Sequence, residues 1–419
     1  MTCRVVIAGA SMAGLRMAEN LRAAGFEGPI TLVGDEPHPP YNRPPLSKEV
    51  LLGGAEPAQI MQTLAFRQRT PAGDTRWITG RAVAHADLAQ HTLRLADGET
   101  LDYDVLVAAT GLRPRRLSFD GGASRRFALR SFDDALALRE ALQPGRRLAV
   151  VGAGFIGCEA ASSARKRGLD VTVIEPLALP MVRALGPRLA AAMRELHERE
   201  GVAFRLGTGV RALQAGSGTG PLRLVLDHGD DGDGEIVADL VLEAVGSHCN
   251  VEWLQGNGLD LADGLLCDGR LRVQGRDDLY AVGDIARFPN TFIDDVARRV
   301  EHWCVPTMTA RRASESLVAA LAGRPVGDAF HAMPSFWSDQ HGLRLQSVGL
   351  PALGERTEVL EGNADAAGFR AGGAALGYYR GERLIGVASL GLPAARLGHY
   401  RELVSKAGPA APAPAGSAP

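Results

Sequence analysis

Between Val151 and Glu159 the chain reads Val-Gly-Ala-Gly-Phe-Ile-Gly-Cys-Glu, and no other stretch restricts its fold as tightly. The apolar run 147–151 predicts a short buried strand, and the pattern from Gly157 onward predicts a helix. Between them Gly152, Gly154 and Gly157 hold the spacing Gly-x-Gly-x-x-Gly, with Phe155 and Ile156 at variable positions. This turn lets a dinucleotide's pyrophosphate approach the backbone at a helix N-terminus. A second strand, 171–174, ends on Glu175, about 20 residues beyond the glycines, where a carboxylate binds a ribose 2′-hydroxyl. A glycine turn alone is a weak signal; strand, turn, helix and acid together define a nucleotide-binding βαβ unit.

The chain begins with a second copy of this device. Residues 4–8 predict a strand, Gly9-Ala10-Ser11-Met12-Ala13-Gly14 the turn, and a helix follows to about Ala24. The next strand, 30–33, closes on Gly34-Asp35-Glu36. Ser11 replaces the middle glycine, and its small hydroxyl can donate to a phosphate oxygen. Two such units fit a chain of 419 residues, which is too long for one compact core and implies two or three domains.

Net charge is −2 and hydrophobic content 46%, which suit a globular protein and give no global nucleic-acid footprint. No apolar run reaches the length of a membrane span. No signal or transit pattern precedes the first strand, so a cytoplasmic protein with reduced thiols is expected. Cys3, Cys158, Cys249, Cys267 and Cys304 form no CxxC pair and no metal-ligand spacing, so no metal site is expected.

After the first unit comes Pro40-Tyr41-Asn42-Arg43-Pro44-Pro45-Leu46-Ser47-Lys48, whose prolines fix the path of a loop leading into a short helical pattern. Strands are expected at 94–95 and 105–108, with Asp97-Gly98 as the hairpin turn between them, and alternation over 77–101 predicts a small antiparallel sheet. Ala109-Thr110-Gly111-Leu112-Arg113-Pro114-Arg115 closes the segment. Further on, an amphipathic helix is expected over 187–200 and a polar turn between strands over 227–235. Asp227, Asp230, Asp231 and Asp233 in that turn miss the calcium-loop spacing, because Leu242 stands where the bidentate Glu belongs. Residues 279–284 form another apolar strand ending in Gly283-Asp284, and a helix is expected over 306–321. From Arg324 the pattern becomes that of a separate α+β domain with several short strands and a last helix. The Pro/Ala-rich end from Ala407 lacks material for a core and reads as a disordered tail.

Two dinucleotide turns, an Ala-Thr-Gly-x-x-Pro-Arg segment and a late Tyr-Ala-x-Gly-Asp strand resemble the two-dinucleotide flavoprotein reductases related to glutathione reductase. Within that group, the PPYNRPPLSK stretch, Glu301-His302-Trp303 and Phe336-Trp337-Ser338-Asp339-Gln340 resemble ferredoxin reductases of oxygenase and cytochrome P450 systems, of the putidaredoxin and rubredoxin reductase type. The resemblance spans about residues 4 to 400. It implies an α/β architecture with two Rossmann-like dinucleotide-binding domains and a C-terminal α+β interface domain. The FAD domain would take 1–115 and 245–323, the NADH domain 116–244, the interface domain 324–403 and the tail 404–419.

What the resemblance implies at individual positions follows the same motifs. Gly9, Ala13 and Gly14 match the FAD pyrophosphate turn, with Ser11 standing at its middle glycine as a further cofactor-binding position, and Asp35 or Glu36 the acid at the adenosine ribose. Arg43 and Lys48 match flavin-side residues, Val83 an adenine contact and Arg130 a further FAD contact. Ala109, Thr110 and Gly111 line the same cofactor, and Gly283 and Asp284 match the ribityl and pyrophosphate region. Val305 lies where the next helix points at the flavin pyrimidine, and Trp337 matches the aromatic against the isoalloxazine. Gly152, Gly154, Phe155, Ile156, Gly157, Glu175 and Gly246 match the NADH site, with Glu159 the acid near the nicotinamide. Lys48, Glu159 and Trp337 are the implied catalytic set. Departures are Ser11 and the Ser247-His248-Cys249-Asn250 loop, where the family usually carries a proline before the asparagine.

Two further observations bear on the reaction. No cysteine lies between Cys3 and Cys158, so the redox thiol that disulfide reductases of this architecture carry early in the first domain is missing. Of 46 basic residues only Lys48, Lys166 and Lys406 are lysines, which marks Lys48 as a position suited to a compact ammonium. The expected function is hydride transfer from NADH to FAD and single-electron delivery to an iron–sulfur ferredoxin, acidic and of 2Fe-2S or 3Fe-4S type. The alternatives are rubredoxin or another one-electron acceptor, or a sensor that binds a partner after NADH reduction. A monomer or weak homodimer is expected. Two readings stay open for Glu159, a residue at the nicotinamide or a first-turn carboxylate favoured by the helix dipole. Two also stay open for Arg311-Arg312, a docking patch for an acidic ferredoxin or a solvated helix face paired with Glu315.

Overall fold

The computed structural model describes residues 3–69, 75–216, 220–227, 234–327 and 330–408. Two five-stranded parallel sheets form its frame. The first runs in the order Leu279–Ala281, Val105–Ala108, Val5–Ala8, Ile30–Val33, Thr75–Ile78. The second runs Val202–Leu206, Asp170–Glu175, Arg147–Val151, Leu240–Glu243, Arg126–Phe127. Val5–Ala8, Val105–Ala108 and Leu240–Glu243 are buried at every residue, as strands covered on both faces must be.

Register places the sites. In the first sheet Ala8 aligns with Ala108, and Ala108 with Ala281, so Gly9, Ala109 and Val282 leave the carboxyl edge side by side. In the second, Val151 aligns with both Ile174 and Glu243, which sets Gly152, Glu175 and Ala244 in one row. Ligands of open α/β sheets bind along this edge. Both first glycines are obligatory. A Cβ on Gly9 (φ +123°) would stand 2.1 Å from Ala109 O, and one on Gly152 (φ +102°) 2.3 Å from Ala244 O.

Two sequence expectations are corrected. The Asp97-Gly98 turn joins Thr92–Leu95 to Thr100–Asp102, whereas Val105–Ala108 enters the parallel sheet. Its four consecutive apolar residues suit a strand buried on both faces better than an alternating hairpin arm. Trp77 likewise belongs to the parallel sheet, in Thr75–Ile78, so the antiparallel sheet begins only at Val83. The helix expected from Pro187 runs from there to Arg199, and a separate turn beginning at Val182 leads into it across a break at Gly186 (φ +68°). The strands Leu222–Leu226 and Glu235–Ala238 flank the acidic turn as expected and pair antiparallel; Asp230, Asp231 and Asp233 lie outside the described residues. So does the Pro/Ala-rich end beyond residue 408. Among the described residues no helix is long and apolar enough to cross a membrane.

The C-terminal sheet is antiparallel, in the order Ser335–Gln340, Leu343–Gly349, Arg383–Leu390, Ala374–Arg380, Arg356–Gly362, and the helix Arg396–Lys406 follows it. It packs against both parallel units. Tyr378 Oη donates to Leu185 O at 2.6 Å, and Arg383 donates to the carbonyls of Phe292 and Ile293. One apolar cluster runs from Leu46, Val50 and Leu51 through Leu148, Val150 and Leu189 to Leu345, Leu376 and Leu390.

The second sheet hangs from the first by a short ladder in which Leu112–Pro114 pairs with Ser247–Cys249. Beside this ladder lies Glu243, wholly buried, which accepts from Arg116 Nε and Arg126 Nε at 2.7 Å each and from Leu117 N–H at 3.0 Å. Arg126 is itself only 7% exposed, so it has little access to water should the carboxylate go. Glu243→Ala is expected to lower unfolding free energy by about 3–5 kcal/mol, because a buried cation is left without its partner. The midpoint of urea unfolding checks this, with Glu243→Gln losing less.

Candidate active site

The first glycine turn opens the helix Met12–Ala23. Its N-cap Ser11 makes no side-chain capping bond, and the first helical turn carries no acid. The second turn opens Phe155–Lys166 in the same way, with Gly154 at the N-cap. By contrast, Ser131 and Asp134 form a complete capping box on Phe132–Ala141. The two nucleotide-turn helices therefore keep first-turn N–H groups available for an anion, as a pyrophosphate requires.

Around the first turn the predicted residues converge. Gly283 N–H donates to Thr309 Oγ1 at 2.9 Å, tying the end of the Leu279–Ala281 strand to the helix Val305–Leu321. A Cβ on Gly283 would lie 3.1 Å from that of Ala13, and one on Gly111 would lie 3.3 Å from Arg130 Nη2. Thr110 holds Asn250 by two bonds, its carbonyl accepting from Asn250 Nδ2 at 3.0 Å and its hydroxyl donating to Asn250 O. Arg130 lies 3.5 Å from Asp284. Burial pushes the Asp284 carboxyl above the usual range and Arg130 opposes that shift.

Arg43 knits this cluster together. It donates through Nη1 to Tyr41 Oη at 2.9 Å and Arg130 O at 2.8 Å, and through Nη2 to Ser11 Oγ at 3.3 Å and to Glu36. Tyr41 Oη in turn donates to Glu36 Oε2 at 2.5 Å, and burial pushes its phenol up. Of the two candidate ribose acids, Glu36 is thus the one drawn into the cluster. Asp35 is exposed and accepts from the Glu36 N–H. Val83 opens the strand Val83–Asp87, three residues beyond Gly80, which faces Pro37.

In the second row, Glu175 accepts from Ala153 N–H at 2.8 Å and Leu177 N–H at 3.0 Å, so its carboxylate is anchored beside the turn. Ile156 projects from the helix start at 47% exposure, which is unusual for a large apolar residue. Gly246 (φ +98°) begins the return to the first sheet.

The two rows meet at Glu159. Its Oε2 accepts from Lys48 Nζ at 2.6 Å and Ser47 Oγ at 2.5 Å, and its Oε1 accepts from Ser338 Oγ at 2.5 Å. Lys48 Nζ also donates to Pro44 O at 3.0 Å, and both partners are nearly buried, at 8% and 6% exposure. Glu159 is the fifth residue of its helix rather than a first-turn acid, so the capping alternative falls. Nearby, Trp337 packs edge-on against Trp303 with centroids 5.3 Å apart, and Trp303, 38% exposed, donates to Asn42 Oδ1 at 2.9 Å. Phe336 lies between Phe155 and His302, each with centroids 4.9 Å away. Burial carries His302 down to about 4, so the ring is neutral, and its buried Nδ1 has no hydrogen-bond partner among the described residues.

Residues 3–310 match the pyridine nucleotide-disulphide oxidoreductase family, and residues 335–417 the reductase C-terminal family. The chain is 36% identical to rhodocoxin reductase of Rhodococcus erythropolis, over 93% of this chain and 86% of that one. It is 36% identical to the ferredoxin–NAD(+) reductase component of the anthranilate 1,2-dioxygenase system of Burkholderia cepacia, over 84% of each. The crystal structure of the covalent putidaredoxin reductase–putidaredoxin complex superposes with a TM-score of 0.84 at 32% identity, covering 96% of this chain and 93% of that one.

The chain belongs to the ferredoxin–NAD(+) reductases of this flavoprotein family. As such it is an NADH-dependent FAD oxidoreductase. The donors that matter most to the reductase's central carboxylate, Ser47 and Ser338, were not singled out from sequence. The signal lay beside the chosen residues, in the Leu-Ser-Lys and Trp-Ser-Asp-Gln strings.

The arginine pair is divided by the structure. Arg311 is 75% exposed and lies 3.5 Å from Glu315, the solvated-face arrangement. Arg312 Nε donates to Gly269 O at 2.9 Å and its Nη2 to Gly327 O, so it holds two loops together. Arg298 and Arg299 are likewise engaged, with Asp294 and with Asp263 and Glu301. Arg312→Glu should therefore cost about 2 kcal/mol or more of stability, whereas Arg311→Glu should stay within about 0.5 kcal/mol of the parent. Urea unfolding of the two single variants separates them.

Proposed function

We propose that the reductase oxidises NADH at the site walled by Glu159 and Lys48 and passes electrons singly to a small iron–sulfur ferredoxin serving a cytochrome P450 or Rieske-type oxygenase. The observation that carries this reading is the buried Glu159 carboxylate, which draws donors from the Arg-Pro-Pro-Leu-Ser-Lys loop and the Phe-Trp-Ser-Asp-Gln strand to the nucleotide-turn helix. The cysteine-free run between Cys3 and Cys158 removes the thiol route and leaves a direct exit.

In this reading Gly9, Ser11, Ala13, Gly14, Arg43, Arg130, Gly283 and Asp284 hold the FAD pyrophosphate and ribityl region, and Glu36 its ribose. Val83, Ala109, Thr110, Gly111, Val305 and Trp337 complete its walls. When bound, FAD supplies the conversion between a two-electron hydride and single electrons. The N-terminus of Val305–Leu321 and the Lys48 ammonium favour negative charge near the reacting edge. Glu159 pins Lys48 so that its charge keeps one position. Gly152, Gly154, Phe155, Ile156, Gly157 and Gly246 seat NADH, and Glu175 takes the ribose hydroxyl.

The partner proposed is an acidic ferredoxin with a 2Fe-2S or 3Fe-4S cluster, the reductase acting in the cytoplasm as a monomer or weak homodimer. Trp303, partly exposed and against Trp337, is the proposed exit. The FAD domain takes 1–115 and 245–323, the NADH domain 116–244 and the interface domain 324–403.

The test is steady-state NADH oxidation with purified holoenzyme and a 2Fe-2S ferredoxin; ferredoxin reduction no faster than background overturns the reading. Lys48→Met should slow flavin reduction by NADH about tenfold to a hundredfold in stopped flow while FAD content holds. NADH should be preferred over NADPH, because Glu175 repels a 2′-phosphate and Pro176, Leu177 and Ala178 supply no arginine to hold one. Glu175→Ala should narrow that preference by about tenfold or more, read as the ratio of the two kcat/KM values.

A further inference from the structure

The polar structure at Glu159 continues beyond its three donors. A single file of buried groups runs from it into the joint between the helix Val182–Arg199 and the C-terminal sheet. Ser338 Oγ accepts from Gln340 Nε2 at 2.8 Å, Gln340 Oε1 faces His197 Nε2 at 2.7 Å, and His197 Nδ1 faces His341 Nε2 at 2.9 Å. Ser338, Gln340 and His197 are 1%, 3% and 0% exposed.

Hydrogen-bond direction is dictated along this file. A carboxylate only accepts, so the one Ser338 proton goes to Glu159, and Ser338 must accept from an amide N–H. That requirement turns the Gln340 carbonyl toward His197, whose Nε2 therefore carries the proton. His197 Nδ1 is then bare and accepts from the Nε2–H of His341. His197 must therefore be neutral, and burial lowers it; burial, with His197 and nearby cations, carries His341 down to about 3. The end of the file is built at some cost. His341 and Gly342 form the two-residue turn between Ser335–Gln340 and Leu343–Gly349, with φ of +50° and +80°, positions that favour Asn or Gly. The imidazole is nevertheless placed there, and the His341 backbone N–H is fastened to Ser162 Oγ at 2.8 Å.

We propose that Gln340 is a positioning residue for hydride transfer. Its amide N–H occupies the acceptor side of Ser338 Oγ and holds that hydroxyl in line with Glu159, so that the carboxylate beside Lys48 keeps one orientation while NADH is oxidised. This rests on the reading of Glu159 as part of the NADH site. Without the amide, Ser338 Oγ loses the N–H that holds its rotamer, and its bond to Glu159 Oε1, that atom's only hydroxyl donor among the described residues, loosens.

The test uses holoenzyme in stopped-flow flavin reduction by NADH. Gln340→Met keeps side-chain length and removes both amide ends. Reduction should slow about tenfold, with the NADH dissociation constant and FAD content within about twofold of the parent. In a Glu159→Gln background the same change should add less than about twofold, since the file then has no carboxylate to serve. An unchanged rate for Gln340→Met overturns the proposal, as does an equal slowing in both backgrounds, which marks a purely structural residue. Should Gln340→Met lose FAD, Ser338→Ala replaces it under the same criteria. A Glu159→Gln enzyme reduced at the parent rate overturns the reading of Glu159 itself, an outcome distinct from failure of the Gln340 step alone.

Discussion

A buried carboxylate with three donors does more than bind a lysine. Glu159 comes from the second parallel unit, Ser47 and Lys48 from the loop after the first, and Ser338 from the C-terminal sheet. An anion taken out of water costs several kcal/mol unless fully partnered, so the three units have a common reason to keep their relative placement. The apolar cluster from Leu46 through Val150 to Leu390 supplies the attraction, which is non-directional. The carboxylate supplies the direction. Packing alone tolerates small slides between units; a charge with defined lone pairs does not.

A division of labour follows at the two glycine turns. Each depends on the close approach of backbone to backbone, at Gly9 against Ala109 and at Gly152 against Ala244, which brings the helix N-terminus over the sheet edge. The first turn adds cations, with Arg43 and Arg130 beside it, and the second adds an acid, Glu175. Equal folds therefore carry unlike side chains at the same edge, arginines paired with Glu36 and Asp284 at the first and Glu175 on backbone N–H groups at the second.

Features of short sequence range were legible before the structure. Strand, turn, helix and acid lie within 30 residues, and their physics is local, so Gly152 through Glu175 could be read directly. Errors came where two neighbouring elements resemble each other in composition. Trp77 and Val105–Ala108 were assigned to hairpins because alternation and turn residues surrounded them, while their pairing with Ile30–Val33 and Val5–Ala8 is set by distant strands. Arg312 could not be separated from Arg311 by sequence, since only the folded positions of Gly269 and Gly327 decide which one is used. The file from Ser338 to His341 was invisible for the same reason. Its members come from segments more than 140 residues apart, and nothing in the Phe-Trp-Ser-Asp-Gln motif that holds Ser338 and Gln340 points to His197.

The ladder between Leu112–Pro114 and Ser247–Cys249 has a consequence for how such a molecule is assembled. Pro114 and Ser247 face each other across it, so the chain departs for the second sheet and comes home at a single point. Everything between can be regarded as a long ornament on one hairpin. The first sheet needs nothing from that ornament to close, because Val105–Ala108 and Leu279–Ala281 are already neighbours on the near side. The architecture is thus one of lodging rather than of tandem beads, with the lodger bound to its host through Arg130, Glu159 and the shared apolar cluster.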